Sequence, residues 1–133
     1  MPDCEMALAR RAVACKGWRW MPGMAGTDAL GVPFRCALTH HSGGIMVVAG
    51  MAIMVAHPDA LARMFPDLSD PATLGCLLAL VREAWGDPAL CVLMELHGDW
   101  CWSVGRGEAA TALRGQGATT EAEALVVALE AAP

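Results

Sequence analysis

Asp67-Leu68-Ser69-Asp70-Pro71, the apolar run that follows to Trp85, and the stop at Gly86-Asp87-Pro88 decide the fold class. Asp70 carries the short side-chain acceptor that a helix N-cap needs. Pro71 stands at the first helical position, where its fixed φ helps and its missing N–H costs nothing. Leu74, Leu77, Leu78, Val81 and Trp85 recur at helical spacing, and Leu80 and Ala84 widen the stripe. The segment predicts a central core helix.

The chain then changes period. Ala89 to Leu96 and Trp100 to Gly105 read as two strands joined at Gly98-Asp99. A two-residue loop there places His97 opposite Trp100, Glu95 opposite Trp102 and Leu93 opposite Val104. One face of that hairpin carries Leu93, Glu95, His97, Trp100, Trp102 and Val104. The drier face, with Leu90, Val92, Met94, Leu96, Cys101 and Ser103, is expected to meet the core helix.

Upstream, Asp3 is the expected N-cap of a first helix ending near Lys16 and Gly17, with Leu8, Ala12 and Cys15 as its apolar stripe. Trp18-Arg19-Trp20-Met21 reads as a strand, and residues 24–33 read as loop. Phe34 to Thr39 and Ile45 to Ala49 are strands around a His40–Gly44 turn. Met51 to Val55 either extends the second of these or forms another. His57-Pro58-Asp59 opens a short helix over Ala60 to Met64. Downstream, Ala109 to Leu113 is a possible short strand. Thr120, with Glu123 three residues on, predicts a capping box at the start of a last helix. Helices packed on an antiparallel or mixed sheet make this an α+β chain.

The 133 residues fit a single domain over 1–133. Hydrophobic residues make up 56% and charged residues only 17%. So little charge leaves apolar surface for a second copy or a ligand to cover, so a homo-oligomer is expected. The net charge of −5 argues against general nucleic-acid binding, which needs a basic stripe. Eight of the nine basic residues are Arg, a bias that a GC-rich genome produces. The longest apolar run, Ile45 to Ala56, has Gly50 inside and falls short of the ~20 residues of a membrane span. It reads as core, and so do Met46, Met51 and Met54. Six cysteines without a CxxC pair, and no signal-peptide pattern near Met1, predict reduced, buried thiols in a cytoplasmic protein.

No phosphate loop, nucleophile elbow or zinc-protease motif occurs, and no cofactor is implied. His40 and His41 are neighbours that a strand would point apart, so no metal site is assigned. The two W-x-W pairs stand out. Packing explains most tryptophans in strands. The functional alternative is a stacking platform of Trp18, Trp20, Trp100 and Trp102. Glu95 and His97 would stand beside it, and Arg19 or Arg106 would hold phosphate.

The order of elements resembles a known family. A short helix runs straight into Gly17-Trp18-Arg19-Trp20-Met21-Pro22-Gly23-Met24. Pro66-Asp67-Leu68-Ser69-Asp70 then leads into an apolar helix, and a hairpin with Trp100 and Trp102 follows. Gly117-Ala118-Thr119-Thr120-Glu121-Ala122-Glu123-Ala124-Leu125 closes the chain. This layout is similar to small phage and prophage proteins of unknown function with the phage ABA sandwich domain. The resemblance implies helices on both faces of the sheet, an α/β/α sandwich, and a place in the bacterial cytoplasm. It also implies a non-enzymatic accessory role, here an anti-defence protein that sequesters a small nucleotide-derived signal. The alternatives are a protein-binding module that inhibits a host factor, and a small hydrolase that degrades such a ligand with His40 or His97.

Overall fold

A computed structural model describes residues 2–97, 99–105 and 118–133, with the side chains of 95–97 and 99–101 outside that description. The elements run α1 (Asp3–Ala14), β1 (Ala25–Thr27), β2 (Pro33–Thr39), β3 (Ile45–Ala49), β4 (Ala52–Ala56), α2 (Pro58–Leu61), β5 (Phe65–Pro66), α3 (Pro71–Trp85), β6 (Cys91–His97), β7 (Asp99–Gly105) and α4 (Glu121–Glu130). Five strands form an antiparallel sheet in the order β4-β3-β2-β1-β5, and β6 and β7 form a separate pair. The fold is α+β, with helices packed on the sheet.

The α3 boundaries follow from the residues that signalled them. Thr73 N–H donates to Asp70 Oδ2 at 2.9 Å, which satisfies an orphan donor of the first turn. Gly86 ends the helix at φ 61°, a conformation glycine adopts without strain. Arg35 reaches the same cap and donates to Asp70 Oδ1 at 2.8 Å. The Arg35 guanidinium holds the Asp70 carboxyl well below its usual range, at about 2, with help from the Thr73 bonds. Buried Thr73 also ties the helix to the sheet, since Ala25 N–H donates to its Oγ1 at 2.8 Å.

α4, rather than α3, is the central core helix. Ala122, Ala124, Leu125, Val126, Ala128 and Leu129 are all buried on it. Its apolar residues face three ways, because it packs against α1, α3 and the β6–β7 hairpin. Arg11 pairs with Glu130 to tie α1 to it. Trp85 Nε1–H donates to Ala128 O at 2.8 Å and ties α3 to it. Its cap is a shifted box. Glu123 N–H donates to Thr120 Oγ1, but the Glu123 carboxylate accepts from Thr119 N–H and Oγ1–H. Those bonds, the hydroxyl first, lower the Glu123 carboxyl.

Four expectations need correction. Trp18 to Met21 is not a strand, because its backbone pairs with no ladder. The expected loop at 24–33 contains β1, which lies between β2 and β5. Gly26 is what lets them close there. A Cβ at this position would lie 2.6 Å from Phe65 O and 2.8 Å from the Trp20 ring. The Ile45–Ala56 run is not uniformly core. Gly50, at φ 61°, reverses it into a hairpin with Ala49 paired to Ala52. Met51 is fully exposed at the tip, and Met54 is half exposed. The thiols are not all buried: Cys36 is, but Cys4 is exposed and Cys15, Cys76 and Cys91 lie between. The possible strand at Ala109 to Leu113 lies outside the described residues.

Candidate functional site

Strand alternation sorts the five-stranded sheet into two faces. Phe34 and Cys36 on β2, Ile45 and Val47 on β3, and Ala56 on β4 are buried. The register places Arg35, Val48 and Ile53 in one row on the opposite face. That face is open. Ile53 is 66% exposed and Val48 is also exposed, and Leu38, 63% exposed, lies where the β2–β3 register shifts between Cys36 and Thr39. Arg35 reaches from this row to the α3 cap, where its charge is paired.

The tryptophans lie elsewhere. Trp18 and Trp20 are partly buried against the core. Their rings meet edge to face, 5.5 Å apart with an interplanar angle of 82°. Trp20 also packs on Phe34 at 5.4 Å and donates from Nε1 to Leu61 O at 3.4 Å. Two perpendicular indoles present no common plane for one stacked base. Arg19 points away to solvent and pairs with Glu83 at 2.6 Å. Trp18 Nε1–H is buried with no partner among the described residues. Beside Trp18 lies a cleft of about 340 Å³ whose wall includes Lys16, Arg19 and Glu83.

The hairpin register differs from the expected one by a single residue. Glu95 pairs with Cys101, Met94 with Trp102, Leu96 with Trp100 and His97 with Asp99. A one-residue slip exchanges the faces of one strand relative to the other. Positions 100 and 102 therefore share a pleat face with Met94 and Val92, and positions 95 and 97 fall on the other face. The backbone register therefore differs from the one on which the expected grouping of Glu95 and His97 with Trp100 and Trp102 rests. Trp102 is partly buried and packs on the core with Val92 and Val104. Ser103 on the other face is buried as well, and the hairpin packs against α4. The side chains of Glu95, His97 and Trp100, and all of Arg106, lie outside the described residues.

No group of three His, Cys, Asp or Glu able to hold a metal occurs among the described residues. His40 and His41 stack at 4.1 Å on their turn, and His40 Nδ1 lies 2.7 Å from Ser42 Oγ. No described helix is long and apolar enough to cross a membrane. No protein-family model, curated protein or solved structure matches the chain.

The residues that sequence reasoning missed are Leu38, Val48, Met51, Ile53 and Met54. One signal for them was present. Gly50 inside the apolar run marks a reversal, and a reversal there leaves a hairpin with two unlike faces.

Proposed function

We propose that the chain is a non-enzymatic phage or prophage accessory protein. In this reading it works as a homo-oligomer and inhibits a bacterial host protein by binding it through the open face of its five-stranded sheet. The observation that carries the reading is the aliphatic pair Val48 and Ile53, exposed side by side in one register row, with Leu38 also exposed on β2. Contiguous apolar patches on small domains mark interaction sites. The phage setting rests on the likeness in element order, which is analogy. The test is retention of a host protein from bacterial lysate by the tagged chain and by a folded Leu38→Asp/Ile53→Asp variant. Stoichiometric retention by the wild type alone supports the reading. Equal retention by both, or by neither, rejects it.

One observation favours a second reading, capture of a nucleotide-derived signal. The cleft beside Trp18 is walled by Lys16 and by Arg19, the latter already paired with Glu83 of the same wall. Its volume reaches the lower end of small-ligand sites, roughly 300–1,000 Å³. Isothermal titration with cyclic and linear nucleotides tests it. Binding that weakens in Lys16→Ala supports it, and no heat with any nucleotide rejects it.

A further inference from the structure

The two edges of the five-stranded sheet are treated differently by the sequence. Unpaired edges template association, and proteins guard them with proline, charge, bulges, short strands or a covering element. β5 has only two residues, ends on Pro66, and has α1 packed against it with Arg10 over the Phe65 ring at 5.7 Å. β4 has five residues, Ala52-Ile53-Met54-Val55-Ala56, with no proline, charge or bulge. Among the described residues no other element bonds to its outer edge.

We propose that β4 is the seam of a two-fold homodimer, in which it pairs antiparallel with the β4 of a second copy about an axis through Met54. The hydrogen-bond phase supports this. Ala49 and Ala52 close a two-residue loop and so exchange bonds with each other. Alternation then turns Met54 and Ala56 toward β3, and leaves Ile53 and Val55 with N–H and C=O groups directed outward. A two-fold axis at Met54 sets Ile53 opposite Val55 of the second copy, and Val55 opposite its Ile53. Each outward residue meets an outward residue, and the four new bonds form two closely spaced pairs. Met54 meets its own copy in the intervening non-bonded position, where side chains come closest.

Charge and area agree with this occupant. Neither β3 nor β4 carries a charged residue, so the axis brings no like charges together. Met51, Ile53 and Met54 are 102%, 66% and 53% exposed. With about 200 Å² per residue they offer at most about 450 Å² per copy, about 900 Å² for the pair, and the paired β4 backbones add to this toward the roughly 1,000 Å² of a specific interface. Closure follows as well. Among the described residues the five-stranded sheet has one unguarded edge, pairing consumes it, and growth of that sheet stops at two. The inference rests on the oligomeric part of the reading above. Loss of host-protein binding leaves it standing, whereas a monomeric chain overturns it.

Position 54 faces itself only in this register, which sets the experiment. Sedimentation velocity of the full chain should show a reversible dimer. Met54→Glu and Met54→Lys, each shown folded by circular dichroism, should each weaken it by about tenfold or more, because like charges would stand directly opposite. An equimolar mixture of the two should restore dimers that contain one of each. A monomeric wild type at every concentration overturns the proposal. So do dimers that persist in both variants, open-ended oligomers, or a mixture that fails to pair.

Discussion

Removing the Asp70 carboxylate tests how α3 is fixed to the sheet. Asp70 accepts from Thr73 N–H and Thr73 Oγ1–H, both at 2.9 Å, and from the Arg35 guanidinium at 2.8 and 3.2 Å. Loss of an N-cap side chain costs about 1 kcal/mol. Arg35 is half exposed, so its ion pair adds only about 0.2–1 kcal/mol. Asp70→Ala should therefore destabilise the fold by about 1–2 kcal/mol, roughly 3–8 °C in Tm for a chain of this size. Asp70→Asn keeps a capping oxygen and should lose about half of that. The pH dependence has a definite sign. The folded carboxyl is held down to about 2, below its ordinary value of 3.8. Its stabilisation is complete above about pH 4 and is lost as pH falls toward 2. Urea unfolding of wild type and Asp70→Asn at neutral pH, and in steps through the acid range, is the assay. Equal stabilities at neutral pH, or a difference that does not shrink below about pH 4, would refute the reasoning.

Two further outcomes follow from packing. Leu125 is wholly buried in α4, so Leu125→Ala should cost about 2–5 kcal/mol by chemical denaturation; a cost below about 1 kcal/mol would remove α4 from the centre of the core. Burial, together with nearby Cys76, pushes the Cys36 thiol up to about 11. Alkylation mapped by mass spectrometry at mildly alkaline pH should label exposed Cys4 first and leave Cys36 unmodified until the chain unfolds, and early labelling of Cys36 would contradict its burial.

Elements whose ends carry local chemistry were legible in the sequence. Asp70, Pro71 and Gly86 bound α3, and Thr120 bounds α4, because caps are satisfied by residues next to them in the chain. Elements that exist only through partners were not. Ala25-Gly26-Thr27 has only Thr27 as a strand former and becomes β1 because β2 and β5 bond to it on either side. Trp18 and Trp20 alternate as a strand would, yet it is their rings that are fixed in the core, while their backbone stays unpaired. The β6–β7 register turned on one residue, and that residue decides which side chains share a face with the indoles. For the candidate site, the excess of apolar residues pointed to an uncovered surface. Its location did not follow from composition, because Met51, Ile53 and Met54 look like core until Gly50 is known to reverse the chain.

Residue-resolved hydrogen exchange on β4, followed as protein concentration rises, tests the central claim that the open side of this sheet is an association surface. Met54 N–H bonds to β3 and should be protected at every concentration. Ile53 and Val55 N–H point to the free edge and should exchange quickly when dilute, then become protected together as copies pair. Ile53 and Val55 amides that exchange equally fast at all concentrations would contradict it.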